Sequence, residues 1–191
     1  MDDTDALVLA ILVGTSREGR ESIKAARWVA EFARQRQGVE VVFVDPTELH
    51  LPSDGDEIRD PKYTEITARA DAFYVVTPEY NHSYPGSLKR MLDSEYGNYL
   101  HKPIGTAGVS SGIFGGARCC EALIPVYHKL GLVVIQPEVY FPKVGELFDE
   151  QGNLKLEHVE RYTASVGKAL DELLWYARLL KRARAAAPEQ A

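Results

Sequence analysis

The stretch VVTPEYNHSYPGSLK, residues 75–89, is the part of this chain that most clearly indicates its fold. It completes an apolar run that begins at Ala72, and it continues into a polar loop bracketed by Pro78 and Pro85. A proline cannot donate to a sheet ladder, so the strand has to end near Pro78, whereas Pro85 suits the first turn of a helix. A buried strand, a polar loop and a helix in this order are typical of the edge at which open α/β sheets bind ligands.

Apolar runs alternate with helical patterns along the rest of the chain, as expected for βαβ units and a parallel sheet. The apolar runs predict five strands, over residues 7–13, 39–44, 72–77, 104–109 and 133–140. Apolar residues at helical spacing predict helices near residues 25–33, 64–70, 85–93, 116–130 and 156–181. The sequence therefore predicts an α/β fold with a right-handed, doubly wound sheet.

The composition describes one ordinary domain and argues against two classes of partner. The chain has 191 residues, of which 45% are hydrophobic and 26% charged. A formal net charge of -6 argues against nucleic acid, which needs a basic face on its partner. No stretch approaches the length of a membrane span, and the acidic start is unlike a secretory signal, so we expect a cytoplasmic protein.

Two segments are predicted to lie outside the packed elements. We expect a single domain over residues 1–181, followed by a polar tail over residues 182–191. The segment 46–60 is rich in proline, aspartate and glycine, which predicts a surface loop suited to covering an active site.

The cysteines and histidines form no pattern that points to a metal. Cys119 and Cys120 are adjacent, which makes a disulfide between them sterically awkward and leaves no zinc-type spacing. We interpret them as reduced, small apolar residues, with a redox role as the less favoured alternative. The five histidines are scattered along the chain, and we predict no metal site.

The loop after the first strand is predicted to bind a phosphate. It spans residues 14–22 and comes just before a helix, whose positive end favours anions. Its hydroxyl and guanidinium groups belong to Thr15, Ser16, Arg17, Arg20 and Ser22. A second interpretation remains open, in which Ser22 caps the helix and the charges are solvated.

The glycine spacing of the ligand loops favours a mononucleotide over a dinucleotide. The first loop has neither the Walker pattern nor GxGxxG, so tightly bound NAD on a Rossmann crossover is not expected. The loop over residues 108–118 contains four glycines, which allow the backbone to approach a flat ligand closely. The loops after strands one, three and four are expected to converge beyond the carboxyl ends of the sheet.

Three motifs together resemble the NADPH-dependent FMN reductase family, flavodoxin-like flavoproteins that include quinone, azo-dye and chromate reductases. The first loop is similar to the family's Gly-Ser-x-Arg pattern, with Thr15 in the serine place and Arg20 where a small residue is frequent. The residues PEYN at 78–81, followed by PGSLK at 85–89, resemble the family signature. Residues 112–118 resemble its glycine-rich loop, and the likeness covers roughly residues 6–140.

The resemblance implies a flavodoxin-like sheet in the order 2-1-3-4-5, with helices on both faces, and a bound FMN. It implies contacts of FMN with Thr15, Ser16, Arg17, Arg20, Ser22, Pro78, Glu79, Tyr80, Asn81, Ser110, Ser111, Gly112 and Gly115. The phosphate would lie in the first loop, the ribityl chain and ring edge along residues 78–81, and the pyrimidine end against the backbone of 110–116. His82, Phe114 and Arg118 are expected beside the electron acceptor.

The same resemblance implies a two-step reaction in which the flavin does the chemistry. NADPH or NADH would pass a hydride to the flavin N5, and two electrons would then go to a small-molecule acceptor. A quinone, a free flavin, an azo dye or a metal oxyanion would each serve as acceptor, and no catalytic side chain is implied. The family resemblance also implies a homodimer or a homotetramer.

Two other classes share this fold. A flavodoxin-type electron carrier would also bind FMN, but its phosphate loop usually resembles Thr-x-Thr-Gly-x-Thr, so we rank it second. A response-regulator domain needs an acidic cluster after the first strand, where this chain has Gly14 and Thr15. Lys89 and Asp93, four residues apart on one helix, are interpreted as a structural ion pair or a dimer contact rather than as ligand groups.

Overall fold

A computed structural model describes residues 6–51 and 59–186, which contain six strands and six α-helices. The strands are β1 Leu7–Val13, β2 Val39–Val44, β3 Ala72–Pro78, β4 Pro103–Val109, β5 Val133–Val134 and β6 Val139–Phe141. The helices are α1 Ser22–Arg34, α2 Pro61–Arg69, α3 Gly86–Asp93, α4 Ala117–Lys129, α5 Val144–Leu147 and α6 Leu156–Ala186.

The sheet is parallel and has the order β2-β1-β3-β4-β5, which confirms the flavodoxin-like prediction. Val13 at the end of β1 pairs with Val76 of β3, and Thr77 of β3 pairs with Gly108 of β4. The three strands therefore finish at nearly the same level. Because their carboxyl ends are aligned, the loops that follow them leave the sheet side by side.

Helices cover both faces of the sheet, and each face has its own hydrophobic cluster. Along β3, Tyr74 and Val76 join the cluster under α1 and α6, whereas Phe73 and Val75 join the cluster under α2, α3 and α4. This alternation follows from the two-residue period of a strand. Because a strand buried on both faces has to be apolar throughout, β3 could be predicted from the sequence.

The last predicted strand is divided in the structure. Residues 133–140 were expected to form one strand, but β5 and β6 are separate pieces, and each pairs with β4. Pro137 lies in the interruption and has no N–H to donate to the ladder. The chain rejoins β4 at Val139, opposite Ala107, so the end of β6 lies at the same sheet edge as the ligand loops.

Two helices have other ends than the sequence predicted. Helix α2 starts at Pro61, three residues early, because the Asp60 side chain accepts a hydrogen bond from the Tyr63 N–H at 3.1 Å and so caps the helix. Helix α6 continues to Ala186, five residues beyond Lys181, so residues 182–186 of the predicted tail are helical. Residues 187–191 and 52–58, the latter within the predicted covering loop, lie outside the described residues.

The two cysteines are buried and unbonded to each other. The neighbouring Cys119 thiol and burial both raise the pKa of the Cys120 thiol, which keeps it protonated. A protonated, buried thiol is a poor nucleophile, so this environment supports the interpretation of the pair as small apolar residues. In the described ranges, no helix is both long and apolar enough to cross a membrane.

Candidate functional site

A cavity of about 580 Å³ lies at the carboxyl edge of the sheet, where the ligand loops converge. The loops after β1, β3 and β4 contribute to its wall, together with the start of α5. Its lining residues are Thr15, Arg17, Gly19, Arg20, Glu21, Ser22, Pro78, Glu79, Tyr80, Asn81, Val109, Ser110, Ser111, Val144 and Gly145. This volume is within the usual range for small-molecule and cofactor sites.

Close packing of Gly14 against β3 sets the position of the first loop. A Cβ atom on Gly14 would lie 2.2 Å from the Cβ of Thr77, and the Gly14 N–H donates to the Val76 carbonyl at 2.8 Å. The following Thr15 Oγ1 is 3.0 Å from the Tyr80 hydroxyl and accepts from the Arg17 N–H at 3.2 Å. The first loop is thereby joined directly to the loop after β3.

The start of α1 carries two buried polar atoms that lack partners. The Oγ of Ser22 and the Nε of Arg20 have no hydrogen-bond partner among the described residues. Leaving such atoms buried and unpaired costs about 1–3 kcal/mol each, and both residues line the cavity. The positive end of α1, a hydroxyl and a guanidinium form a donor set that fits a phosphate dianion. Glu18 is exposed, whereas Glu21 lines the cavity and its carboxylate accepts from Lys24 Nζ at 2.7 Å.

Ser22 does not cap α1, so the alternative interpretation of the first loop is wrong on this point. Glu21 occupies the N-cap position, its backbone is helical, and no side chain among the described residues caps the helix. Ser22 is the first helical residue and is 3% exposed. Its hydroxyl is therefore free for a ligand rather than used by the helix.

A tight turn shapes the loop after β3. Tyr80 and Ser83 exchange two backbone hydrogen bonds, at 2.8 and 3.0 Å, around Asn81 and His82. The φ angles of Asn81 and His82 are 49° and 67°, as in a type I′ turn. Asn81 lines the cavity, whereas His82 lies exposed at the tip, outside the lining formed by the described residues.

The Glu79 carboxylate is bound to the start of α4. It accepts from the Arg118 backbone N–H at 3.3 Å and from Arg118 Nη1 at 3.0 Å. The Arg118 guanidinium also lies over the Phe114 ring, 4.3 Å from its centroid, and Phe114 is 57% exposed. Glu79 therefore connects the loop after β3 to the start of α4 and the glycine-rich loop before it. Both oxygens of its carboxylate are used in this contact.

The glycine-rich loop approaches the sheet as closely as its glycines allow. Gly116 has a φ of 84°, and a Cβ atom there would lie 2.4 Å from the backbone N of Val109. The Ser110 hydroxyl donates to the Gly112 carbonyl at 2.9 Å, and the Val144 N–H donates to the Ser110 carbonyl at 3.0 Å. The start of α5 is thus joined to the same loop.

Ten of the thirteen residues predicted to contact the cofactor line the cavity. They are Thr15, Arg17, Arg20, Ser22, Pro78, Glu79, Tyr80, Asn81, Ser110 and Ser111. Ser16, Gly112 and Gly115 are not in the lining that the described residues form, nor are Phe114 and Arg118, which were expected near the acceptor. The Ser16 N–H donates instead to the Ser87 Oγ at 3.3 Å.

Sequence reasoning missed five lining residues: Gly19, Glu21, Val109, Val144 and Gly145. Val144 and Gly145 follow the last strand at the same sheet edge as the three predicted loops. The rule that ligands bind beyond the carboxyl ends of strands applies to that segment as well, so its position after the last strand was the available signal.

The fold and the cavity define a class: a flavodoxin-like domain with a cavity at the carboxyl edge of its sheet, of a volume usual for cofactor sites. Residues 7–146 match the family described as NADPH-dependent FMN reductase. This chain belongs to that family. It is accordingly an oxidoreductase that uses FMN with NADPH or NADH, as the resemblance implied.

Similar proteins agree with this assignment. A quinone reductase of Pseudomonas putida is 31% identical over 157 residues, covering 76% of this chain and 83% of the relative. A 2-hydroxy-1,4-benzoquinone reductase of Burkholderia sp is 32% identical over 170 residues, covering 82% and 90%. The flavoenzyme FerB, an NAD(P)H:(acceptor) oxidoreductase from Paracoccus denitrificans, has the same fold, with a TM-score of 0.72 at 24% identity over 89% of this chain and 98% of FerB.

Proposed function

We propose that this enzyme uses bound FMN to reduce quinones with two electrons taken from NADPH or NADH. The observation that carries the proposal is the cavity at the sheet edge, where Ser22 Oγ and Arg20 Nε have no hydrogen-bond partner within the described ranges and suit the phosphate of FMN. The relatives named as quinone and benzoquinone reductases support the choice of acceptor.

Two groups of cavity residues would bind the two ends of FMN. Thr15, Arg17, Arg20 and Ser22 would hold the phosphate, assisted by the positive end of α1. Residues 78–81 and the Ser110–Ser111 backbone would lie along the ribityl chain and the ring. Because the walls come from four separate segments tied by hydrogen bonds, the site is held in shape before the cofactor arrives.

Bound FMN supplies both hydride acceptance and two-electron donation, so the protein has to orient it and leave one face open. The glycine-rich loop offers backbone N–H groups for the end of the ring on which negative charge develops during reduction. Both oxygens of the Glu79 carboxylate are engaged by Arg118, which suits a structural role rather than that of a general base. A quinone that becomes a hydroquinone takes up a hydride equivalent and one proton. The proton would come from water, so no side chain is assigned its transfer.

Phe114 supports a planar aromatic acceptor. Its ring is 57% exposed and lies on the Arg118 guanidinium, next to the glycine-rich loop. Such a platform favours stacking with a flat quinone more than contact with a metal oxyanion. His82, exposed at the tip of the neighbouring turn, is the second residue that we propose near the acceptor.

The test of the acceptor separates the two half-reactions. The holoenzyme is reduced anaerobically with one equivalent of NADPH and then mixed in a stopped-flow instrument with 1,4-benzoquinone, free FMN, an azo dye or chromate. The proposal expects benzoquinone to reoxidise the flavin fastest, and Phe114→Ala to slow that step more than the step with chromate. Faster reoxidation by any of the other three would contradict the choice of quinone.

We further propose that the enzyme works in the cytoplasm as a homodimer or homotetramer. The buried free thiols suit a reducing compartment. Large apolar side chains at the surface, among them Ile113, Phe114, Trp175 and Leu179, support self-association. Light scattering on the holoenzyme measures the mass, and a monomer at micromolar concentration would contradict the assembly.

A further inference from the structure

Asp45, the residue immediately after β2, forms an ion pair with Arg20 of the first loop. The Arg20 Nη2 atom donates to Asp45 Oδ2, and the two side chains are only 13% and 9% exposed. Arg20 lines the candidate cavity, whereas Asp45 is not in the lining that the described residues form. Asp45 therefore contacts the cavity lining through Arg20 rather than forming part of it.

The Asp45 carboxylate is fixed by a second set of contacts. Its Oδ1 accepts from the Thr47 N–H at 3.0 Å and from the Thr47 Oγ1 at 2.7 Å, and so caps the short 3-10 helix Pro46–Glu48. One oxygen is thus bound to the backbone after β2 and the other to Arg20. A carboxylate held this way is a rigid support for a long, flexible side chain.

The contact with Asp45 leaves other N–H donors of Arg20 for a ligand in the cavity. A guanidinium has five N–H donors in a fixed planar fork, and Asp45 binds Nη2. The Nε–H on the same guanidinium is buried and has no partner among the described residues. It shares this condition with the Oγ of Ser22, two residues further along, which lines the same cavity.

We propose that Asp45 is a positioning residue for the FMN phosphate. It holds the Arg20 guanidinium so that its Nε–H, together with the Ser22 hydroxyl, binds the phosphate without having to be ordered during binding. The inference rests on the proposed use of this cavity for FMN. It assigns a role to a residue outside the cavity lining, immediately after the strand at the edge of the sheet.

A purely electrostatic role of Asp45 predicts the opposite sign. A carboxylate near the phosphate site repels a dianion, so its removal would tighten the binding of FMN if charge alone mattered. If Asp45 acts by ordering Arg20, its removal weakens binding, because a long side chain then loses its rotamer freedom on binding. The direction of the change therefore separates the two roles.

The experiment measures dissociation constants of FMN and riboflavin, by quenching of flavin fluorescence, for the wild type, Asp45→Ala, Arg20→Ala and the double variant. Asp45→Ala is expected to weaken FMN about tenfold, the scale of ordering one long side chain. Arg20→Ala is expected to weaken it more, and the double variant no further than Arg20→Ala alone. Riboflavin, which has no phosphate, should bind all four proteins about equally.

Asp171→Ala is the matched control, because Asp171 forms an ion pair with Arg36 and neither residue is in the lining that the described residues form. It should leave both dissociation constants unchanged. Arg20→Lys serves if Asp45→Ala does not fold. A single ammonium group pairs with Asp45 but does not also present a second fixed donor, so FMN should again bind about tenfold more weakly than to the wild type.

Unchanged or tighter binding of FMN by Asp45→Ala would overturn the inference, and so would an Asp45→Ala effect of equal size in the Arg20→Ala background. Each of these results leaves the proposed function intact, provided that the wild type binds FMN. A wild type that binds neither flavin would overturn the proposed function and this inference together.

Discussion

Glu79 binds Arg118, 39 positions further along the chain, through both carboxylate oxygens, at 3.3 Å from the backbone N and 3.0 Å from Nη1. The pair joins the loop after β3 to the first turn of α4, and its carboxylate lies at the positive end of that helix. The family signature residue thus has a structural task in addition to its place in the cavity wall. The shape of the glycine-rich loop depends on this contact.

Replacing Glu79 by Ala should lower the stability of the apoprotein by about 2 kcal/mol, because two charge-assisted hydrogen bonds to a mostly buried carboxylate are lost. FMN affinity should fall as well, since the cavity wall loosens. Glu79→Gln, which keeps one acceptor oxygen, should lose less. Glu121→Ala, an exposed site on the same helix, is the control, and equal melting curves for Glu79→Ala and Glu121→Ala would contradict this role.

Replacing Ser22 by Ala should separate binding from stability. The Ser22 hydroxyl is buried and has no partner among the described residues, so its loss should not lower the apoprotein's melting temperature and should raise it slightly. FMN should bind about fivefold to tenfold more weakly, as expected for one lost hydrogen bond, and riboflavin equally well. Ser165→Ala, on the outer part of α6, controls for the substitution itself. Unaltered FMN affinity in Ser22→Ala would show that this hydroxyl does not bind the FMN phosphate.

Replacing Gly14 by Ala should damage the fold. The new Cβ would lie 2.2 Å from the Cβ of Thr77, so β3 or the first loop has to move, at a cost of about 3 kcal/mol. Gly112→Ala should be within about 0.5 kcal/mol of the wild type, because no atom of the described residues, other than its own chain neighbours, lies within 4 Å of its new Cβ. Urea titration of the two apoproteins gives the comparison, and similar midpoints would show that the first loop is free to shift.

The buried amine of Lys102 should make stability depend on pH. Burial, and secondarily the nearby Arg184, lower the pKa of Lys102 to about 8 in the folded protein, from 10.5. Between these values the unfolded chain binds more protons, so the free energy of unfolding should rise as pH increases from about 8 towards 10. Lys102→Met should lack this rise. Urea unfolding of the wild type and of Lys102→Met at a series of pH values measures this. If the free energy of unfolding depends on pH in the same way in both proteins, the role of Lys102 is refuted.

The sheet was the most predictable part of the fold. Strands β1, β3 and β4 are buried on both faces, so they appear in the sequence as continuous apolar runs with turn signals at their ends. The end of α6 was less predictable, because its last turns are held by tertiary contacts. Lys181 and Arg184 both bind the Asp71 carboxylate, more than a hundred residues away in the sequence. A polar composition alone predicted a tail there.

The composition of the candidate site was predictable, and its internal contacts were not. The sheet rule and the motifs identified most of the cavity wall, because residues at strand ends are brought together by the fold itself. Side-chain partners depend on distances that the sequence does not contain. Glu79 was expected to face the cofactor, yet its carboxylate binds Arg118, and the Arg20 guanidinium is held by Asp45 from outside the cavity.

The most direct test of the reductase function is an anaerobic spectrum of the protein loaded with FMN, recorded before and after one equivalent of NADPH or NADH. We expect the flavin to stay with the protein on desalting and its visible bands to bleach within seconds of adding a nicotinamide dinucleotide. Flavin that binds but stays oxidised with both donors would contradict the reductase function. Loss of the flavin on desalting at micromolar protein concentration would contradict the assignment of the cavity as the FMN site.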